Sequence, residues 1–491
     1  MANPSTEQRE IRIEKLKKLE AMGINPYPQI YKPTAFSDAL NAKYKDLAPD
    51  TQTDDEVKVA GRVMAYRNSG MFMDIYDTTG KIQIFCSKEH LPAFEQDKIA
   101  LIDIGDYIGV KGKVKRTKRG ELTVNAEEVT FLCKSLLPLP EKFHGLTDIE
   151  IRYRQRYLDL ITNPESMETL RKRSKIVSSV RTTLEEKGML EIETPVLHPI
   201  LGGANAKPFI THHNALNQDF FLRIATELYL KKLIVGGFEG VFELGKDFRN
   251  EGIDIKHNPE FTLMEVYWIY KDYYDMMDLA EEIIRNACMA ANGTLQIKYG
   301  DIDLDLSKPF ARKSMMELVK EYTGLDFDKY KTADEAMKAV KDAGINLDTE
   351  PKTWGEIMVA VFEAKVEEHL IQPVHVIDHP KEVSPLTKEH RSDPRLVERF
   401  ETYINTWEMC NAYSELSNPL DQRARLEAQA AAREAGDEEA NMMDEDFVCA
   451  LEYGMPPTGG LGVGIDRLTM ILTNSASIRD VIAFPTMRRK D

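Results

Sequence analysis

Between Val57 and Cys133 the chain alternates apolar and polar residues in five short runs: VKVAGRVMAYR, MFMDIYD, KIQIFCS, YIGVKGKVKR and LTVNAEEVTFLCK. Period two puts successive side chains on opposite faces of a strand. Gly, Asp and Thr separate the runs, so the pattern predicts five strands closing into a small barrel. Ahead of them, residues 7–22 carry Ile and Leu at helical spacing among Lys, Arg and Glu, and predict one amphipathic helix. Residues 23–53, rich in Pro, Asp and Thr, read as a linker, and the proline-bearing run LLPLPEKFHG closes the barrel domain. Beyond it ESMETLRKRSKIVSSVRTTLEEKG predicts a long helix closed by Gly188. Strand-like FFLRI, GVFELGKDF and FTLMEVYWIY follow, with helices near 227–235 and 272–291. Residues 301–400 read as mostly helical, and 421–440 as an Ala- and charge-rich surface helix. Strands and helices do not alternate regularly, which excludes a doubly wound parallel sheet and leaves an α+β fold. The expected division is 1–54 (helix and linker), 55–140 (barrel) and 141–491 (the large domain).

Composition narrows the class. The 491 residues are 42% hydrophobic and 30% charged, ordinary for a globular protein. No apolar run approaches the ~20 residues of a membrane span. The polar start MANPSTEQRE is no secretory signal, so the expectation is a cytoplasmic protein with no membrane partner. Five cysteines without a CxxC pair argue against a disulfide scaffold or a structural zinc. The net charge of −17 is uneven: residues 1–140 carry +1 and the remainder −18. That balance excludes a generic DNA coater but not a local nucleic-acid contact. A stripe of Lys111, Lys113, Lys115, Arg116, Lys118 and Arg119 suits phosphate contacts or, equally, a solvated hairpin tip. Five strands of these lengths fit an OB-fold, whose exposed aromatics can stack bases.

Three segments of the large domain carry the candidate chemistry. There is no GxxxxGK[ST] loop and no HExxH, and GGLGVG at 459–464 lacks dinucleotide-loop spacing. Residues 242–270 read strand, polar loop, strand. Arg249-Asn250-Glu251 end the first strand, Lys256 and His257 stand in the loop, and Phe261, Glu265 and Tyr267 lie on the return. Cations at a loop mouth suit an anionic ligand, and Arg grips phosphate oxygens in a fork. A surface Arg249–Glu251 pair with Phe261 in the core is the plainer alternative. In residues 398–416, Glu401, Glu408, Asn411 and Glu415 are spaced to share one stripe of a helix; Asn411, Tyr413 and Glu415 share a face if the second half is a strand. Converging carboxylates need a cation between them, either Mg²⁺ with substrate phosphates or a positively charged substrate. A solvated acidic face is the alternative. Residues 459–474 lead small residues into Ile-Asp-Arg and an apolar helix. They place Arg467 in a first turn whose dipole opposes a cation, or else in a structural pair with Asp466.

Together these segments resemble the signature motifs of the class II aminoacyl-tRNA synthetases. KGMLEIETPVL, with its Pro195, resembles motif 1 (about 170–200). FRNEGI with HNPEFT resembles motif 2 (242–270), and GLGVGIDRL resembles motif 3 (459–474). The HIGH and KMSKS signatures of class I are missing. An N-terminal OB-fold ahead of such a core is the layout of the lysine, aspartate and asparagine subgroup. RYRQRYLDLI, LRIATELYLKKL, NAYSELSNP and IRDVIAFP are most similar to its lysine branch, over about residue 55 to the C-terminus.

The resemblance implies an N-terminal OB-fold that binds the anticodon and a catalytic domain built on a mainly antiparallel sheet flanked by helices. It implies ATP-dependent attachment of L-lysine to tRNA(Lys) through an aminoacyl-adenylate, by a homodimer using Mg²⁺. Arg249 would hold the α-phosphate and the amino-acid carboxylate, His257 and Arg467 the distal phosphates, and Phe261 and Glu251 the adenine. Glu401 and Glu408 would hold Mg²⁺. Glu415 with Tyr267, and Glu265 nearby, would clamp the ε-amino group. Glu227 and Gly203 would take the α-amino group, and Asn411 would help with the carboxylate. Phe72, Gln83 and Glu128 would read anticodon uridines with Arg67 nearby. The alternatives are an aspartyl- or asparaginyl-specific relative and a non-catalytic regulator on the same fold. The run of carboxylates speaks for lysine, because a buried ammonium needs partners.

Overall fold

The computed structural model describes residues 6–87, 89, 91–140, 146–436 and 439–490. The end of the proline-bearing segment, residues 141–145, and residues 437 and 438 at the end of the expected surface helix lie outside them. The chain forms two compact units, Met1–Thr162 and Asn163–Asp491.

The first unit is a closed five-stranded barrel. Its strands are β1 (Gln52–Arg67), β2 (Phe72–Tyr76), β3 (Lys81–Phe85), β4 (Tyr107–Arg116) and β5 (Leu122–Cys133), in the order β1-β2-β3-β5-β4. The long β1 pairs antiparallel with both β2 and β4, and β3 closes the barrel by running parallel to β5. The alternation read from sequence is what fills it: Val57, Val59, Val63, Ile75, Ile82, Ile84, Val110 and Val124 point inward and are buried. A β-bulge between Val63 and Ala65 lets β1 curve around that core. Helices α1 (Thr6–Ala21), α2 (Ser37–Lys43) and α3 (Ala93–Ala100) accompany the barrel, and α4 (Ile149–Arg154) and α5 (Arg156–Thr162) end the unit.

The second unit is built on an eight-stranded sheet. Its strands are β6 (Leu190–Glu191), β10 (Gly240–Phe248), β11 (Glu260–Ile269), β14 (Ala311–Ser314), β15 (Val374–Pro380), β16 (Leu396–Ile404), β17 (Trp407–Ser414) and β18 (Thr458–Gly464), ordered β14-β15-β16-β17-β18-β11-β10-β6. From β15 to β10 every pairing is antiparallel; only the edge pairs β14–β15 and β10–β6 are parallel. Short strands β7 (Leu197–His198), β8 (Ile210–His213) and β9 (Gln218–Leu222) form a second small sheet, and β12 (Gln296–Tyr299) with β13 (Ile302–Asp305) a hairpin.

Helices α6 (Pro164–Glu185), α8 (Tyr273–Asn292) and α14 (Ile465–Thr473) bury their apolar stripes against this sheet in one core. Pro164 starts α6 where an N–H has no intrahelical partner anyway. Asp272 and Asp275 make a capping box for α8, which Gly293 ends in the left-handed region. Helix α7 (Glu227–Val235) packs on β10 and β11; α9 (Met315–Thr323), α10 (Ala333–Asp342) and α11 (Trp354–Lys365) share a core of their own. Helices α12 (Pro419–Glu434), α13 (Glu445–Glu452) and α15 (Ile478–Val481) complete the unit.

Two expectations are corrected here. Residues 398–416 are not a helix but the β16–β17 hairpin, turned by Asn405-Thr406 with φ of 52° and 64°. That two-residue turn with both φ positive matches strand twist, and the β-branched and aromatic residues around it favour strands. Residues 301–400 hold three α-helices but also β13, β14, β15 and part of β16.

Candidate active site

The central strands floor a cavity of about 410 Å³. The β10–β11 hairpin, its connecting loop, the β17–β18 pair and the start of α14 wall it, with 383–387 across from them. Gly203, Glu227, Arg249, Glu251, His257, Phe261, Glu265, Tyr267, Glu408, Asn411 and Arg467 all line it. Residues from five separate stretches of chain thus converge, and the charges divide the cavity into two ends.

One end is cationic. Arg249 follows β10 and is held by its backbone N–H, which donates to the Pro259 carbonyl at 2.9 Å. Its guanidinium stands 5.0 Å from the centroid of the Phe261 ring, and its Nε has no hydrogen-bond partner among the described residues. In the loop, Asp254 contacts His257 Nδ1 at 2.8 Å, and His257 Nε2 lies 3.0 Å from Arg467. Arg467, in the first turn of α14, donates to the Glu408 carbonyl at 3.1 Å and its carboxylate at 3.2 Å. Asp466 does not pair with Arg467: it binds Arg173 of α6 at 2.6 Å and accepts from the Thr262 N–H at 2.6 Å. The adjacent residues of that dipeptide therefore divide, one to tie α14 to α6 and one to face the cavity.

The other end is acidic and buried. Glu265, 7% exposed, accepts from Thr226 at 2.7 Å. Burial, with the nearby Asp247 and Glu227 charges, pushes it up to about 8. Burial also raises Glu227, although Lys231 opposes the shift. Gly203, at φ +93°, donates its N–H to Asn441 at 3.0 Å beside Glu227. Two expected residues stand off the cavity lining. Glu415 lies behind Gly460 and Tyr267, in an ion pair with the buried Lys231. Glu401 has one oxygen on Arg399 (2.5 Å) and the other on the Tyr403 hydroxyl (2.8 Å).

Arg399 was not singled out from sequence. It lines the cavity and also donates to Asn411 at 3.1 Å and to Ser384 at 3.0 Å, so it fixes the side chain at the middle of the cavity. Asn441, which anchors Gly203, was missed as well; a single amide in a loop carries no local signal.

Glu401 and Glu408 stand on neighbouring strands. Burial and the Glu401 charge raise Glu408. Two mutually repelling carboxylates suit a Mg²⁺ that keeps water and substrate phosphates as its other ligands. No group of three or more acidic, His or Cys side chains able to hold a metal ion occurs among the described residues; Glu401 and Glu408 would need water and phosphate to complete the ligands of such an ion.

On the barrel, Phe72 and Phe85 face each other across β2–β3 with centroids 5.0 Å apart. Gln83 pairs with Asp74 of β2, whose carboxylate receives both terminal nitrogens of Arg67 (2.8 and 2.9 Å). Arg67, Phe72 and Gln83 therefore form one patch. Glu128 does not join it: Gln83 registers with Thr123 of β5, and Glu128 lies further along, opposite Lys111. Nearer the Gln83 end, Glu121 just ahead of β5 is paired with Lys81 at 2.9 Å. Much of the basic stripe is paired within the barrel: Lys111 binds Glu56 (3.0 Å), Lys113 binds Asp54 (3.1 Å), and Arg116 donates to three carbonyls.

An antiparallel sheet floored by small residues, an arginine beside a phenylalanine on a hairpin, and a second arginine opening the following helix make a site suited to a nucleotide. Residues 148–488 match the family of class II tRNA synthetases for D, K and N, and residues 57–132 match the OB-fold nucleic acid binding domain. The chain belongs to that class II family. Within it, the chain is 53% identical over 487 residues to the lysine–tRNA ligase of Sinorhizobium medicae, covering 99% of this chain and 98% of that one. It is 54% identical over 491 residues to the lysine–tRNA ligase of Trichormus variabilis, covering 98% and 87%. No helix among the described residues is long and apolar enough to cross a membrane.

Proposed function

We propose that this chain attaches L-lysine to tRNA(Lys) in two steps, as a cytoplasmic homodimer with Mg²⁺ accompanying ATP. In the first step a lysine carboxylate oxygen attacks the α-phosphorus of ATP. The bond from that phosphorus to the bridging oxygen breaks, giving lysyl-adenylate and pyrophosphate. In the second, a hydroxyl of the tRNA's terminal adenosine attacks the acyl carbon and AMP leaves. Negative charge gathers on the phosphate in one step and on the acyl oxygen in the other, and fixed cations aimed at it lower both barriers.

The observation that carries this reading is the division of one cavity into a cationic and an acidic end. Arg249, with an unpartnered Nε beside the Phe261 ring, would grip the carboxylate and α-phosphate where they meet. Phe261 and Glu251 would take the adenine. Arg467, with the His257 ring against it, would take the distal phosphates together with that ring. Mg²⁺, held by Glu401 and Glu408, would neutralise phosphate charge. Glu265, Tyr267 and Glu415 would meet the ε-amino group, and Glu227 with Gly203 the α-amino group, while Asn411, steadied by Arg399, would face the carboxylate. No side chain need transfer a proton; the residues position and neutralise. On the barrel, Arg67, Phe72 and Gln83 would read the anticodon, since a base can stack on the half-buried Phe72 ring.

The test is ATP–pyrophosphate exchange with each of the twenty amino acids in turn. Exchange with lysine is expected, and aspartate and asparagine should give none. Exchange with either of those two instead would overturn the acidic-pocket reading.

A further inference from the structure

Helix α7 presents its apolar face to the core through Leu228, Leu230 and Ile234, yet Lys231 stands among them with its side chain fully buried. An ammonium is costly to bury without partners. Lys231 has two: it meets Oε1 of Glu227, one turn earlier on α7, and Oε2 of Glu415, which follows β17. Its Nζ is also 5.8 Å from the centroid of the Tyr267 ring. Burial works against its charge, but the two carboxylates outweigh burial and hold it above the ordinary lysine value.

Lys231 engages each carboxylate through one oxygen. Glu415 Oε1 remains buried with no hydrogen-bond partner among the described residues. It lies against Gly460, a cavity-lining residue, where an added Cβ would come within 2.0 Å of it. Only glycine at 460 lets that oxygen approach the cavity wall. The acidic end therefore contains three carboxylates, Glu227, Glu265 and Glu415, and one internal ammonium; the nearby Asp247 is paired with Arg223 and stands off the cavity lining. Arg399 is the other cation near Glu227, and it is committed to Glu401. With the three carboxylates ionised, two negative charges are left for a ligand. Lysine brings two ammonium groups, and its carboxylate goes to the Arg249 end.

We propose that Lys231 is a positioning residue for substrate choice, which fixes Glu227 and Glu415 by one oxygen each and sets the acidic end to the charge of a ligand bearing two ammonium groups. It acts through those carboxylates and touches no substrate atom. A ligand with a single ammonium leaves a buried carboxylate unpaired and is rejected for that reason. The inference rests on the lysine reading given above.

The test is lysine-dependent ATP–pyrophosphate exchange on the full chain. The unaltered protein comes first: no exchange with lysine would overturn the lysine reading itself, whereas exchange leaves that reading standing and puts Lys231 alone in question. Lys231→Met should then raise the KM for lysine at least tenfold and leave the KM for ATP within twofold. Lys231→Gln, whose amide still donates to one carboxylate, should fall between Met and the unaltered protein. In a Glu415→Gln background, Lys231→Met should raise the KM for lysine by a smaller factor than it does alone, because one of the carboxylates it acts through is already gone. A lysine KM within twofold of the unaltered protein's in both variants would overturn the proposal. So would equal rises in the lysine and ATP KM values, or the same factor in both backgrounds. If Lys231→Met shows no cooperative thermal transition, the split between the two KM values in Lys231→Gln decides.

Discussion

The two ends of the cavity solve opposite electrostatic problems with the same kinds of side chain. At the phosphate end, Arg249 keeps a nitrogen unpartnered among the described residues, beside the Phe261 ring, while Arg467 has Glu408 on one side and the His257 ring on the other. Cations left under-partnered are ready for an anion. At the amino-acid end, Glu265 and Glu415 are buried deeply enough to be pushed up to about 8. Acids held that high are ready to give up a proton to solvent when an ammonium replaces it. The barrel's basic stripe supplies the contrast: its Lys111 and Lys113 already have Glu56 and Asp54. What separates Arg249 from those two lysines is a nitrogen that the described residues leave unanswered.

The largest break in this comparison comes from Arg249→Ala. Removing the cation at the point where carboxylate and α-phosphate meet should lower kcat/KM for adenylate formation by about 10²–10³-fold, the scale of losing one preorganised donor. Pyrophosphate exchange measures it, and a loss below threefold would contradict the placement. Glu265→Gln acts on the other end. It should raise the KM for lysine about tenfold or more, as expected for a charge-assisted contact of at least ~1.4 kcal/mol, with the KM for ATP unmoved. On the barrel, Phe72→Ala should raise the KM for tRNA about tenfold by loss of one stacked base. Exchange without tRNA should be unaffected, and a mutant equally poor in both assays would refute an anticodon role.

A smaller effect comes from pH. Glu265 and Glu415 are raised, so below about pH 8 the empty acidic end holds protons that an entering ammonium must displace. Binding then releases protons, and the KM for lysine should fall as pH rises from 7 to 8, by about threefold to tenfold, while that for ATP stays level. A lysine KM that rises over this interval would reverse the sign and exclude the mechanism. Smallest of all is Lys113→Ala, which removes a solvent-exposed pair with Asp54; it should change the KM for tRNA by less than twofold, and a tenfold rise would return the stripe to the list of phosphate contacts.

Local patterns in the sequence determined a good deal. The period-two runs of 57–133 are strands because their alternation turns one set of side chains into the barrel, and the 242–270 segment is strand, loop, strand as read, its central strands buried through consecutive residues. The cations of the motif 2 loop and Arg467 were legible because each lies beside the turn that aims it. In residues 398–416 spacings of 7, 3 and 4 satisfy a helical stripe, but the second half takes the strand alternative as β17, because the positive φ at Asn405 and Thr406 that makes a hairpin is a property of the turn, fixed by pairing with β15 and β18 on either side.

Only the tertiary structure decided which charge answers which. Lys231 is an unremarkable residue in LYLKKL until β17 brings Glu415 to it across 184 positions of chain. Arg399 is another β-strand arginine until Glu401, Asn411 and Ser384 close around it. Glu128 sits on the last barrel strand as expected, yet its register puts it opposite Lys111 rather than beside Gln83. Short-range periodicity follows from backbone geometry and can be read along a line. Burial and ion pairing depend on contacts between distant segments, and a charge has no fixed meaning until those contacts set its solvent and its partner.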